Sequence, residues 1–334
     1  MASSPISASW VRFDWNSSEI AVHRRTAQRR AGPSCTLNCG REDGGRERVA
    51  ARYLDRAAIR RIARDCEFEP TSSDGHYLHD VPTVRHIAAV AGARPGKHVL
   101  HAGAGMGALT LALLNRGAHV TAVETDAGLA RQLPKTLVAY THARLQRLEV
   151  LHKNALDLQA ADFARPPTSL VCTLPQGDSC SALLRFLTQF PSIEVVTLVA
   201  ESTLVEQLLA PPGSSRRHVL GVKASFFGEV RRCGAIAPTA LWPLPRQYFG
   251  VCRLDCDRPA RWRRDTETCA GVFELVDTAF GHRRITIRKA LDEWAGGGSE
   301  SARRLLTASI DPSRHVEDLD IADFVRLYQV AGGG

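Results

Sequence analysis

The sequence predicts an α/β fold in which a doubly wound, mostly parallel sheet is followed by a small all-α domain. Short apolar runs alternate with helix-compatible segments through the first two thirds of the chain, and this alternation is typical of a parallel sheet covered by helices. From Thr266 onward the pattern is helical throughout. We therefore predict a sheet domain over residues 51–257 and a helical domain over residues 266–334.

The N-terminal part of the chain carries few apolar residues and many arginines. Residues 1–50 are polar and show no periodic pattern, which predicts a disordered basic arm. Arginines then recur at every fourth position, as one stripe of a predicted helix, at Arg52, Arg56, Arg60 and Arg64. A second helix is predicted from Asp80 to Ala91, with Pro82 in its first turn.

The strongest local pattern spans Lys97–Asp126. It predicts a strand at His98–His101, a glycine loop from Gly103 to Gly107 and a helix at Leu109–Leu114. A second strand at Val120–Val123 follows and ends on the acid Glu124. Glycine lets a backbone turn sharply and lie against a ligand, and the helix that follows offers unpaired N–H groups. An acid at the end of the second strand is placed to accept both hydroxyls of a ribose. The unit therefore predicts a site for a nucleoside-containing cofactor.

The identity of that cofactor is not fixed by the loop itself. The glycines are spaced G-x-G-x-G, but Gly103, Gly105 and Ala108 also satisfy the G-x-G-x-x-A pattern of a dinucleotide fold. The residues of this unit leave NAD and S-adenosylmethionine both open.

The remaining predicted elements continue the alternation and then change to helices. The strands are Leu148–Leu151, Ser169–Thr173 and Val195–Ala200, with Val222–Phe227 and Tyr248–Leu254 as later strands, antiparallel at the sheet edge. The helices are Leu129–Tyr140 and Ser181–Phe190, and after them Val272–Phe280, Arg284–Trp294, Ala302–Ile310 and Ile321–Val330.

Composition narrows the class of protein. The chain has 334 residues, 44% of them hydrophobic, but no apolar run of the ~20 residues that a membrane span needs. Nine cysteines form no C-x-x-C pair, so we expect reduced thiols, no metal site and a cytoplasmic location. The net charge of +8 comes mostly from arginine. It fits either a nucleic-acid partner or an arginine-rich coding bias on ordinary solvated faces.

Taken together, segments over residues 74–330 resemble the ribosomal RNA adenine N6-dimethyltransferase family. The segments occur in the family's order: YLHD (77–80), GAGMGALT (103–110), VETD (123–126), NALDL (154–158), TLP (173–175), APPGS (210–214), VRRCGAI (230–236), WPLP (242–245), FGHRRITIRKAL (280–291) and IDPSRHVEDLDIADFVRL (310–327). The resemblance implies a Rossmann-like methyltransferase domain, S-adenosylmethionine as cofactor, and methyl transfer to the exocyclic amine of an adenine flipped out of small-subunit ribosomal RNA. A monomer is expected.

The resemblance also implies roles for individual residues. The catalytic loop is Thr173, Leu174, Pro175 and Gln176. The cofactor-binding residues are His76, Leu78, His101, Gly103, Gly105, Gly107, Glu124, Thr125, Asn154, Ala155 and Thr173. Basic residues expected to face RNA are Arg56, Arg60, Arg283, Arg284 and Arg288.

Departures from the family pattern cluster at this site. The family loop reads N-L-P-Y, in which the Asn and the Pro carbonyl accept hydrogen bonds from the adenine amine and the Tyr ring stacks on the base. Here Thr173 and Gln176 replace the Asn and the Tyr. The other departures are His101 for the acid that opens the glycine motif, Asn154 for the acid that reads the cofactor adenine, Gly75-His76-Tyr77 for Q-N-F and Gln247-Tyr248-Phe249 for V-D-S.

Three functions remain as hypotheses. The first is an S-adenosylmethionine-dependent adenine dimethyltransferase acting on small-subunit ribosomal RNA. The second is a catalytically impaired RNA-binding or ribosome-assembly protein on the same scaffold, which the altered loop would allow. The third is a methyltransferase redirected to another acceptor.

Overall fold

The computed structural model describes residues 52–71, 75–173 and 176–332, without the side chains of residues 142–143 and 176–181. Its strands are β1 (Tyr77–Leu78), β2 (His98–Ala102), β3 (His119–Glu124), β4 (Leu148–His152), β5 (Ser169–Cys172), β6 (Val195–Glu201), β7 (Gly228–Ile236), β8 (Leu241–Trp242) and β9 (Phe249–Cys256). The predicted arm at residues 1–50 lies outside the described residues.

The helices of the described residues fall into two groups. Those interleaved with the strands are α1 (Arg56–Asp65), α2 (Val81–Val90), α3 (Ala108–Asn115), α4 (Ala127–Thr141), α5 (Gln176–Gln189), α6 (Ser202–Leu209) and α7 (Val219–Ser225). Those that follow the last strand are α8 (Thr266–Phe280), α9 (Ile287–Ala290), α10 (Asp292–Ala295), α11 (Gly298–Thr307) and α12 (Ile321–Val330). An α/β architecture with a helical C-terminal segment is confirmed.

The main sheet has seven strands in the order β4-β3-β2-β5-β6-β9-β7. Its first five strands are parallel, and β9 runs antiparallel between β6 and β7. The carboxyl ends of β2 to β6 therefore share one edge of the sheet. The start of β9 reaches the same edge, because Phe249 pairs with Glu201 at the end of β6.

Both faces of the sheet are buried, which explains the continuous apolar runs of its strands. Val99 packs in a cluster with α1 to α4, whereas the next residue, Leu100, packs in a second cluster with α5 to α8 and α12. Successive side chains of a strand point to opposite faces, so a single strand such as β2 contributes to both apolar clusters.

The first two helices begin at the residues that their sequences indicate. Asp55 caps α1, since its Oδ1 accepts from the backbone N–H of Ala58 at 2.9 Å. Asp80 caps α2 in the same way, through the N–H of Thr83 at 2.9 Å. Each cap satisfies one of the N–H groups that a helix terminus leaves unpaired.

The helices after β9 pack on the sheet rather than around a core of their own. Val272 and Leu275 of α8 and Phe324 of α12 belong to the same apolar cluster as Leu198 of β6. Arg217 adds a polar tie, because its guanidinium donates to the carbonyls of Ala210, at 2.7 Å, and of Leu319, at 3.2 Å. The predicted domain limits at residues 257 and 266 stay a prediction.

Three predicted elements are wrong. The predicted strand Val222–Phe227 is wrong: Val219–Ser225 is helix α7, and it is buried without a gap from Leu220 to Ala224. A short buried run of this kind fits a helix as well as a strand. The predicted helix Arg284–Trp294 is two short helices, α9 and α10. The predicted arginine stripe loses Arg52, which precedes the cap of α1.

No helix of the described residues is long and apolar enough to cross a membrane.

The glycine loop offers a test of the fold at Gly107. Its φ is +90°, and a Cβ there would lie 2.4 Å from Cδ1 of the buried Leu133. Gly96 has a similar φ of +83°, but a Cβ there would meet nothing within 4 Å. G96A should therefore cost only the backbone strain, ~1–2 kcal/mol, and G107A should cost more. Urea unfolding measures both, and equal losses would contradict this packing.

Candidate active site

A cavity of about 260 Å³ lies at the carboxyl edge of the parallel strands. This volume is close to the lower limit of the ~300–1,000 Å³ usual for small-molecule sites. Ligands of open parallel sheets bind at this edge. The lining residues are His76, Tyr77, Leu78, His101, Gly103 to Leu109, Glu124, Thr125, Asn154, Ala155, Thr173, Val199, Ala200, Glu201, Leu241 and Phe249.

Glu124, the last residue of β3, is the buried anion of this cavity, with 8% of its surface exposed. Its Oε2 accepts from the N–H of Gly105 at 2.6 Å, and its Oε1 accepts from the N–H groups of Thr125, at 2.9 Å, and Asp126, at 3.0 Å. A carboxylate can accept about four hydrogen bonds. The Thr125 hydroxyl donates a further, long bond of 3.4 Å to Oε1. Glu124 therefore holds the glycine loop against β3, and its Oε2, with one donor, keeps a lone pair for a hydroxyl group of a ligand.

The glycine loop lies close to its neighbours on two sides. A Cβ on Gly105 would come within 2.8 Å of the Tyr77 ring, and one on Gly103 within 3.1 Å of Thr173. Both glycines have positive φ, +53° and +84°, which side-chain-bearing residues rarely adopt. The sequence keeps glycine here because the loop must turn between β1 and the end of β5.

His101, in β2, forms a buried polar chain behind the loop. Its Nδ1 lies 2.9 Å from Oγ1 of Thr110, and its Nε2 lies 3.3 Å from Oγ1 of Thr173. Burial lowers the pKa of His101 to about 3, so the imidazole is neutral at neutral pH. The side chain fills the rear of the cavity without closing it.

Thr173 follows β5 and brings its hydroxyl to the cavity. The hydroxyl donates to the carbonyl oxygen of Gly103 at 2.6 Å. Because the single proton is used in that bond, the oxygen has a lone pair available as an acceptor. Leu174 and Pro175 of the predicted catalytic loop lie outside the described residues, and Gln176 is the first residue of α5.

Asn154, which the resemblance predicts to read the cofactor adenine, lies after β4 at the other end of the cavity. Its Oδ1 accepts from the N–H of Leu156 at 2.9 Å, and so caps a short turn. That bond orients the amide, which keeps a donor and a further lone pair for a ligand. All eleven residues predicted to bind the cofactor line this one cavity; their roles remain predictions.

The arginines predicted to face RNA lie in two places. Arg56 and Arg60 are exposed on α1, where the Arg60 guanidinium lies 5.9 Å from the centre of the Trp242 ring. Burial and the charge of Arg56 lower the pKa of His79, which adjoins Leu78 of the cavity. These two arginines therefore lie on the cavity side of the molecule.

Of the three C-terminal arginines predicted to face RNA, one is hydrogen-bonded within the protein and two are exposed. The Arg283 guanidinium donates to the carbonyls of Arg217, at 3.4 Å, and Ser215, at 3.3 Å, and so ties the turn after α8 to the loop before α7. Arg284 and Arg288 are exposed.

Sequence reasoning missed several lining residues, three of which lie at the β6 and β9 end of the sheet edge or next to it. Glu201, Leu241 and Phe249 were not among the predicted site residues, yet all three line the cavity. Phe249 belongs to the segment that departs from the V-D-S pattern, and this departure was the one available signal. Glu201 carried none, because only strand pairing brings it beside Phe249.

The residues fit S-adenosylmethionine, the cofactor that the resemblance implies. Glu124 can accept from ribose hydroxyls, Asn154 can contact the adenine, and the loop at Gly103 to Gly107 leaves room for the methionine chain. Among the described residues, no group of three or more His, Cys, Asp or Glu side chains is arranged to hold a metal ion.

Comparison with known proteins gives consistent matches. The family model "Ribosomal RNA adenine dimethylase" matches residues 71–332. Ribosomal RNA small subunit methyltransferase A of Mycolicibacterium paratuberculosis is 49% identical over 282 residues, 84% of this chain and 89% of the relative. The protein of the same name from Mycobacterium tuberculosis is 46% identical over 300 residues, 90% of this chain and 92% of the relative.

Among solved structures, a dimethyladenosine transferase from Plasmodium falciparum is similar, with a TM-score of 0.63 and 17% identity. The similarity covers 75% of this chain and 96% of that chain. It supports the fold.

The buried imidazole predicts a pH dependence of stability. His101 has a pKa of about 3 when folded and 6.5 as its ordinary value. Between these values only the unfolded chain binds the proton, so stability falls as the pH falls through this window. At ~1.4 kcal/mol per pH unit, wild type should lose about 2 kcal/mol more than H101Q between pH 7.5 and pH 5.

Urea unfolding at the two pH values measures this difference. The variant H282Q, which changes an exposed histidine, should follow wild type. Parallel losses in wild type and H101Q would show that His101 accepts a proton in the folded state.

Proposed function

Because the chain belongs to the ribosomal RNA adenine dimethylase family, we propose that it transfers methyl groups from S-adenosylmethionine to the N6 amine of adenines in small-subunit ribosomal RNA. The finer parts of the proposal are that it acts as a monomer and in the cytoplasm.

One observation carries the proposal: the cavity crosses the ends of neighbouring strands, and its lining residues follow the order of the parts of the cofactor, from the adenine end to the methyl group. Asn154 follows β4, Glu124 ends β3, the glycine loop follows β2 and Thr173 follows β5. Adjacent strands lie ~4.8 Å apart, so the span from β4 to β5 is about 14 Å, comparable with an extended nucleoside and its amino-acid chain. The reactive end would then lie beside Thr173.

The chemistry needs positioning more than proton transfer. S-adenosylmethionine supplies an electrophilic methyl group on its sulfonium sulfur. Thr173 Oγ1 can accept a hydrogen bond from the adenine amine, because its own proton is donated to Gly103. Glu124 holds the nucleoside end, and the neutral His101 adds no positive charge beside the sulfonium. Alignment of amine and methyl group is the main source of rate acceleration in such a site.

The altered loop favours a second candidate, a non-catalytic RNA-binding protein of the same family. Thr173 offers one acceptor atom in place of a planar amide, and Gln176 offers no ring. The loss of base stacking costs ~1–3 kcal/mol. Labelled S-adenosylmethionine and unmethylated small ribosomal subunits separate the two: transfer of the label to N6-methylated adenine supports the enzyme, and RNA binding without transfer supports the second candidate.

If the Glu124 carboxylate binds the cofactor, a neutral replacement should weaken cofactor binding. E124Q keeps the shape of the side chain but removes the charge. Hydrogen bonds to charged groups contribute ~1.5–3 kcal/mol, so the Kd for S-adenosylhomocysteine should rise by about 10- to 100-fold, as measured by calorimetry. E149Q, at an exposed residue of β4 that does not line the cavity, is the matched control and should bind normally. Equal affinities of E124Q and wild type would rule out this role for Glu124.

If Arg56 and Arg60, on the cavity side, contact RNA phosphates, reversing their charge should lower the affinity for RNA. R56E/R60E should weaken binding to small-subunit ribosomal RNA and reduce the salt slope of log K by about 1.5, because each lost phosphate contact removes ~0.7–0.9. R94E/R165E is the matched control, since both residues are exposed and lie at the opposite edge of the sheet, before β2 and β5. The same salt slope in both double variants would contradict the assignment.

A further inference from the structure

The end of the cavity beyond Thr173 is not explained by the cofactor. There, Glu201 at the end of β6 and Phe249 at the start of β9 form a cross-strand pair and both line the cavity. Residues directly opposite one another on neighbouring strands share a face of the sheet, with Cβ atoms about 4.5–5.5 Å apart. A carboxylate and an aromatic ring therefore lie side by side, one strand further along than Thr173.

The ring of Phe249 is held in place by its surroundings. His76 packs edge-on against it, with ring centres 5.6 Å apart and planes at 79°. The His76 ring is itself fixed, because its Nδ1 donates to the carbonyl oxygen of Pro243 at 2.8 Å. A ring that is half-buried and supported at its edge can present a face to a planar ligand at little entropic cost.

The carboxylate of Glu201 has no hydrogen-bond or ion-pair partner among the described residues. It lines the cavity and is half-buried. Its oxygens are therefore open to a hydrogen-bond donor from the cavity. A ligand with N–H donors would satisfy it, whereas a ligand that presents a carbonyl oxygen would be repelled.

We propose that Glu201 and Phe249 form the subsite for the acceptor base: Phe249 stacks on the ring of a flipped adenine, and Glu201 accepts from its exocyclic amine. The inference rests on the proposed function and names its specificity-determining residues. Phe249 supplies the aromatic face that Gln176 lacks, and Glu201 adds a second acceptor beside Thr173. The site then selects adenine over bases with an oxygen at the same ring position.

Binding of a single base tests the subsite without turnover. The full chain, saturated with S-adenosylhomocysteine, is titrated with a short uridine oligonucleotide that carries one adenine or one hypoxanthine. Wild type should prefer adenine by about 10-fold or more, since a buried acceptor is left unpaired by the wrong base. F249L should weaken adenine binding by about 10-fold, and F249W should restore it.

E201Q should reduce the preference for adenine several-fold, because an amide can turn its NH₂ toward a carbonyl oxygen, and the acceptor on Thr173 should keep the remainder. Y248A is the control, at a residue of the same segment that is 65% exposed and does not line the cavity; it should behave as wild type. Affinity for S-adenosylhomocysteine should not change in any variant, which separates the subsite from general damage to the fold.

The outcomes also separate this inference from the proposed function. If wild type prefers adenine through Phe249 and Glu201 but transfers no methyl group to small subunits, the subsite stands and the enzyme activity fails. If transfer occurs but F249L and E201Q bind both oligonucleotides as wild type does, the subsite is overturned. Equal binding of adenine and hypoxanthine by wild type also overturns it.

Discussion

The structure depends on the contact between the Glu124 carboxylate and the backbone of the glycine loop. A single buried side chain accepts from an N–H of the loop after β2 and from two N–H groups after β3. Burying a carboxylate is costly unless it is paired or hydrogen-bonded, and these three donors offset that cost before any ligand arrives. The same bonds fix the distance between the ends of β2 and β3, which is where a cofactor must be held.

The order of the strands converts this local contact into an extended site. Parallel strands expose their carboxyl ends at one edge, so residues far apart in the sequence, from Asn154 to Glu201, become neighbours along a single cavity. The antiparallel strand β9 brings its amino end to the same edge, and this end contributes Phe249. Several departures from the family pattern thus lie in one cavity, where Thr173, His101 and Phe249 replace residues of different chemistry. Both ring nitrogens of His101 have a hydrogen-bond partner, one in the hydroxyl of Thr110 and the other in the hydroxyl of Thr173. The replacements at 101 and 173 are therefore compatible with each other.

The sequence predicted the parallel part of the sheet, because buried strands and the glycine loop depend on local patterns: β2, β3 and β4 lie within one or two residues of their predicted bounds. It failed at Val219–Ser225, where a short apolar run fits a strand or a buried helix equally well. It also failed at Leu291, where a predicted continuous helix divides into α9 and α10. The residues that the glycine and acid motifs mark lie together in the cavity, but Glu201 and Phe249 could not be found, since their proximity exists only in the pairing of β6 with β9.

A crystal structure of the chain with S-adenosylhomocysteine would show whether the Glu124 carboxylate and the glycine loop hold the cofactor. We expect density along the carboxyl edge, with the ribose on the Glu124 carboxylate, the adenine beside Asn154 and the sulfur facing Thr173. Density for the ligand at another place, or no ligand density in the cavity at saturating ligand, would contradict this assignment.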